Sequence, residues 1–95
     1  MAARTCIWVF AYDVTDDNRR NRVANLLEDF AVRVQYSVFE ARLTAPAARS
    51  LAGRVKRLLL PGDRLRVYAV SNRSLASCHR YGGAPLPEQQ DFWLL

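Results

Sequence analysis

The stretch CIWVFAYD, residues 6–13, constrains the fold more than any other in the chain. As an extended strand it places Ile7, Val9 and Ala11 on one side and Cys6, Trp8, Phe10 and Tyr12 on the other, because successive side chains point to opposite faces. A strand with one wet face alternates apolar with polar residues, whereas a strand apolar on both sides is covered on both. Any fold for this chain must therefore cover its first strand twice. The run breaks at Asp13, in phase with Ile7, Val9 and Ala11, where a further hydrophobe is expected.

A helical pattern follows at once. Val23, Leu26, Leu27 and Phe30 recur at i, i+3, i+4 and i+7, which predicts a helix over about residues 16–31 capped by Thr15 or Asp16. The segment VRVQYSVFEARLT, residues 32–44, is rich in β-branched and aromatic residues but too long for one typical strand. It divides into two short strands around residues 36–38, with no Gly or Pro to mark the turn. A second helix is expected from a Thr44 cap, with Pro46 in the first turn where its missing donor is harmless, to a stop at Pro61-Gly62. Its core stripe is Ala48, Leu51, Val55, Leu58 and Leu59. RLRVYAV, residues 64–70, then alternates, with Leu65, Val67 and Ala69 inward.

The resulting order, β-α-β-β-α-β, is that of a ferredoxin-like α+β fold. In such a fold both helices lie on one face of the sheet, so the second face of the first strand still needs a cover. A second copy of the chain is the economical one, giving a homodimer with sheets facing each other. Residues 1–70 form the core of what is a single domain overall. Residues 71–95 are a polar loop, interrupted by YGGAPLP, leading to a terminal apolar strand, DFWLL. That strand either adds to the partner's sheet or packs on its own.

Composition narrows the class of partner. With 95 residues, 51% of them hydrophobic and 24% charged, the chain reads as one globular domain. No apolar run approaches the roughly 18 residues of a membrane span, and the N-terminus has no cleavage site after its short apolar stretch, so a cytoplasmic location is expected. Two cysteines and one histidine make no metal or redox spacing; Cys6 reads as a small buried hydrophobe. The net charge of +5 implies an anionic partner, nucleic acid being the commonest. Thirteen of the fourteen cations are arginine, whose planar fork suits phosphate. A GC-rich genome produces the same bias, so position has to decide.

Position points to the end of the first strand. Asp13 is either a structural carboxylate, capping the next helix or pairing with Arg20 or Arg22, or a hard oxygen ligand for Mg²⁺, which typically takes one or two protein carboxylates with water and substrate phosphate. A two-fold axis nearby would supply a second Asp13. Asp16 and Asp17 read as cap and first-turn residues. Arg19, Arg20 and Arg22 stand in the first turns of the helix, where the macrodipole disfavours each cation by roughly 0.3–1 kcal/mol. Phosphate groups bound at that helix start would turn them into ligand contacts, with Arg33 from the next strand joining them. A solvated basic face is the other account of the same residues.

YDVTDDNRRNRVANLLEDF, VRVQYSVFEARL and RLRVYAV together resemble the family of small CRISPR-associated endonucleases, the second of the two core spacer-acquisition proteins, over about residues 6–70. DFWLL is similar to that family's closing strand. The resemblance implies a ferredoxin-like homodimer in which each C-terminal strand adds to the partner's sheet. It also implies Mg²⁺-dependent cleavage of RNA or DNA, with Asp13 as metal ligand. Tyr12, Arg20, Arg22, Arg33 and Phe39 match positions implicated in activity, and Ser37 a position near the interface. The same resemblance implies a role beside the CRISPR spacer integrase, bridging its dimers during insertion of foreign DNA.

Two functions therefore stand open. One is a phosphodiesterase with Mg²⁺ on Asp13, catalytic Asp13 and Tyr12, and arginines that hold the backbone. No histidine or second carboxylate offers itself as a general base, so slow turnover is expected. The other is a non-catalytic DNA-binding scaffold in which the arginines hold duplex and Asp13 is structural.

Overall fold

The computed structural model describes residues 4–88. Its elements run β1 (Cys6–Asp13), α1 (Asp17–Glu28), β2 (Val32–Gln35), β3 (Val38–Leu43), α2 (Ala45–Lys56) and β4 (Arg64–Val70), followed by a 3₁₀ helix at Asn72–Ser77. The sheet order is β2-β3-β1-β4, with each neighbouring pair antiparallel. This is the α+β architecture expected from the order of elements. The expected terminal strand at residues 91–95 lies outside the described residues.

Both helices start where short polar side chains can satisfy their free N–H groups. The Asp16 carboxylate accepts from the Arg19 amide at 2.9 Å, and Thr44 Oγ1 accepts from the Ala47 amide at 3.2 Å. Both helices also end earlier than their apolar stripes suggest. After Glu28 the amides of Asp29 and Phe30 reach back only three residues, to Leu26 and Leu27, a tightening that closes the last turn before β2 begins. After Lys56, Leu58 and Leu59 do the same, so these leucines pack on the core from outside the helix. Pro61-Gly62 serves not as the helix stop but as the turn into β4, where the Asp63 amide bonds the Leu60 carbonyl and Gly62 takes φ +96°, a conformation open to glycine.

The β2–β3 hairpin turns at Tyr36 and Ser37 without any residue at positive φ. Two-residue turns of the common hairpin type require positive φ; here the register instead shifts between Arg33 and Gln35, as a bulge does.

Phe10 and Tyr12 point from β1 towards the helices and meet Val23, Leu27, Phe39, Leu51 and Val55 in one buried cluster. Burying a side chain of this size stabilises by roughly 1.5–3 kcal/mol. Trp8 joins at the edge, its indole N–H donating to the Leu43 carbonyl at 3.1 Å. Leu65 and Val67 of β4 are half-buried against the same cluster, while Ala69, opposite Trp8 and so on the same face, is exposed on this edge strand.

The second face of β1 is covered at one end by the chain itself. Ile7, only 2% exposed, lies under residues of the 71–88 stretch, with Leu75 and Tyr81 lining a cleft above it together with Val34, Glu40 and Val70. Arg42 ties the stretch down, donating to the Pro87 carbonyl at 3.3 Å and to Asn72 Oδ1 at 3.4 Å, while Asn72 donates to the Thr5 carbonyl at 2.9 Å. The polar segment read as a loop is thus partly docked. Val9 and Ala11, further along β1, remain half-buried beside exposed Tyr68 and Arg66.

Candidate active site and nucleic-acid interface

Asp13 closes β1 in register with Arg64 of β4 and is exposed. The two structural roles open to it in the sequence are both taken by neighbours. Asp16 caps α1, and Asp17 pairs with Arg20. Among the described residues no ion pair or side-chain hydrogen bond engages Asp13. Its carboxylate is free to take an external ligand.

The four arginines do not converge. Arg19 turns to the α2–β4 connection and grips Asp63 with both forks, Nε to Oδ2 at 2.8 Å and Nη2 to Oδ1 at 3.1 Å. The Asp63 side chain is only 4% exposed and also accepts the Leu60 amide at 2.9 Å. The Arg19 guanidinium and that amide hold its carboxyl below the usual carboxylate range. Arg19 thereby has a structural partner that accounts for its place at a helix start without any nucleic acid. Arg20 folds back along the β1–α1 connection, donating from Nη1 to the carbonyls of Val14 and Thr15 at 3.2 and 3.3 Å and from Nη2 to Asp17. It therefore staples the two residues that follow Asp13. Its Nε is buried without a hydrogen-bond partner.

Arg33 pairs with Glu28 at 3.2 Å and lays its guanidinium 5.2 Å from the Phe39 ring and 5.7 Å from the Tyr36 ring. Arg20 stands 5.6 Å from the same Tyr36 ring. Arg22 projects from the opposite flank of α1 and lines a groove with Arg54 and Arg57. The structure thus brings Arg20 and Arg33 together and separates Arg19 and Arg22 from them.

Two expected site residues are core residues. Phe39 is fully buried, and Tyr12, 5% exposed, stacks on it at 6.2 Å between ring centroids. The Tyr12 hydroxyl donates to the Tyr36 carbonyl at 3.4 Å, and the Tyr12 amide bonds the Ser37 carbonyl at 3.1 Å. Tyr12, Ser37 and Phe39 fix the hairpin against the end of β1 and so position Asp13. Tyr36, which sequence reasoning passed over, is 67% exposed between two guanidinium groups. A large aromatic at a hairpin turn flanked by basic residues was the available signal.

A divalent cation here would have one carboxylate from this chain, and no group of three metal-ligating side chains gathers among the described residues. That donor set suits Mg²⁺, which keeps several waters and shares its remaining positions with substrate phosphate, better than a metal needing a closed protein cage. The exposed, unengaged Asp13 fits such an ion.

The family model described as CRISPR associated protein Cas2 matches residues 6–77. The chain is similar to CRISPR-associated endoribonuclease Cas2 2 of Synechocystis, with 41% identity covering 93% of this chain and 97% of that protein. It is similar to CRISPR-associated endonuclease Cas2 2 of Thermus thermophilus, with 40% identity covering 94% and 96%. The crystal structure of Streptococcus pyogenes Cas2 at pH 6.5 matches with a TM-score of 0.67 and 26% identity, over 80% of this chain and 99% of that one.

Proposed function

The chain belongs to the Cas2 family of CRISPR-associated proteins, and we propose that it is a Mg²⁺-dependent endonuclease cutting RNA or DNA phosphodiesters, working in the cytoplasm as a homodimer beside the CRISPR spacer integrase in acquiring foreign DNA for antiviral defence. One observation carries the catalytic part. Asp13 is exposed at a strand end and unengaged among the described residues, while the acids around it, Asp16 and Asp17, are both committed. The names of the relatives, endoribonuclease in one and endonuclease in the other, favour phosphodiester cleavage. The half-buried Val9 and Ala11 on the open sheet face favour a second copy as their cover.

Mg²⁺ bound by Asp13 would neutralise charge on the phosphate and polarise a water. Arg20 holds the backbone after Asp13 in place, and Tyr12 and Ser37 fix the hairpin beside it. Asp13 is the catalytic residue of this proposal; Tyr12, with its hydroxyl committed to a carbonyl, acts by positioning.

The test is Asp13→Asn, which keeps the shape and removes the ligand charge. The variant should melt with wild type, because no folded-state partner is lost, and should bind nucleic acid with unchanged affinity. Cleavage in Mg²⁺, measured against an EDTA control, should fall to background. Wild-type protein that binds duplex DNA without cutting would instead favour a non-catalytic scaffold bridging integrase dimers.

A further inference from the structure

The groove between α1 and α2 has no role in the site above. Arg22 enters it from the second turn of α1, and Arg54 and Arg57 enter from the end of α2. Among the described residues none of the three has a carboxylate partner. Among the described residues the one acid lining the groove is Asp16 at its far end, already occupied by the Arg19 amide and guanidinium. Leu26, Leu58 and Leu60 supply apolar lining, Asn18 and Asn25 further polar groups, and Arg19, already paired with Asp63, borders the Asp16 end.

Cations at a helix C-terminus complement the macrodipole, which explains Arg54 and Arg57 separately. It does not explain Arg22, which projects into the same groove from another helix, where like charges oppose one another. Arg54 is also held in place, its guanidinium 5.2 Å from the Phe30 ring. Stacking of that kind fixes the plane and leaves the N–H edge for a ligand.

We propose that the α1–α2 groove is a second nucleic-acid contact, in which Arg22, Arg54 and Arg57 bind successive phosphates of a duplex backbone, separate from the strand end that carries Asp13. The shape favours a backbone over a small anion. The two concavities sharing Arg22, Arg57 and Leu58, about 420 and 430 Å³, are shallow and run together along α1, whereas small-molecule sites bury most of their ligand. The proposal rests on the nucleic-acid part of the function above but not on cleavage.

The test measures duplex affinity of the full chain as a function of salt for wild type, R54Q/R57Q, and a control pair, R49Q/K56Q. The control removes the same charge from exposed positions of α2 that do not line the groove. Loss of two phosphate contacts should lower the slope of log affinity against log salt by about 1.8, equally for unrelated sequences, while the control changes the slope little. Thermal melting checks that both pairs are folded. Equal slopes for the two pairs overturn the groove and leave an acidic protein surface as its counterpart. Wild type that binds no duplex overturns the groove and the nucleic-acid reading together. If Asp13→Asn still cuts while R54Q/R57Q loses slope, the nuclease falls and the groove stands.

Discussion

The two flanks of α1 use arginine in opposite ways. On the flank facing the β2–β3 hairpin, Arg20 and Arg33 are each paired with a carboxylate and set against the Tyr36 ring. On the flank facing α2, Arg22, Arg54 and Arg57 have no carboxylate among the described residues. Paired arginines give order, because their donors are committed and their planes fixed. Unpaired ones give an uncompensated field able to attract an anion. A basic residue near a candidate site therefore identifies a contact only after its own acids have been accounted for. Arg19 makes the same point between the flanks, since Asp63 takes both of its forks.

The largest effect should come from that last pair. Asp63→Asn removes one charge of a bidentate pair whose carboxylate is almost inaccessible, and breaking such a pair leaves the other charge uncompensated. The melting temperature at neutral pH should drop further than for Arg20→Ala or Arg22→Ala. The pH dependence follows from sign. The Asp63 carboxyl is held below its unfolded value, so its contribution is present above that value, near 3.9, and is lost as pH falls through the folded one. Melting curves of wild type and variant should begin to converge as pH falls below about 4 and meet only below the folded value. A constant difference down to strong acid would mean that Arg19 and Asp63 contribute through shape alone.

The next effect separates the flanks directly. Arg20→Ala removes the staple on Val14 and Thr15 and should lower the melting temperature and weaken Mg²⁺-dependent cleavage together. Arg22→Ala, exposed and unpaired, should change stability by no more than about 0.5 kcal/mol while flattening the salt dependence of binding. If both arginines behave alike in melting and binding, the contrast between the flanks is wrong.

Much of the fold was legible because it rests on local rules. β1 was bounded at Cys6 and Asp13 by its apolar run, and the cap at Thr44 by residue type, while the cap of α1 was narrowed to Thr15 or Asp16 and the structure gives Asp16. The helix ends were not legible, because Leu58, Leu59 and Phe30 keep a helical spacing while bonding as tightened turns. Asp13 stood out as a polar break in an apolar row. The grouping of the arginines did not, since Asp63 lies 44 residues from Arg19 and Arg54 and Arg57 come from a helix whose angle to α1 no periodicity states. In sequence Arg22 shares the first turns of α1 with Arg19 and Arg20, and only the packed pair of helices reveals that it faces a different groove.

The smallest loss expected on the paired flank concerns Tyr36, the one side chain among the described residues whose ring is set against both of its arginines. Its ring is mostly exposed, so its burial contributes little and its value lies in the two guanidinium contacts at 5.6 and 5.7 Å. Cation–π contacts at exposed sites are worth roughly 0.5–1 kcal/mol each. Tyr36→Leu should therefore destabilise the chain by about 1 kcal/mol in denaturant unfolding, with no change in the dependence on denaturant. Tyr36→Phe keeps the π face and should recover most of that loss. The two variants decide between ring and hydroxyl, because Leu removes both while Phe removes only the hydroxyl. If Phe is as damaging as Leu, the hydroxyl rather than the ring face is what matters on this flank. If neither variant matters, the carboxylates Asp17 and Glu28 order it alone, and the difference between the flanks reduces to where the acids are.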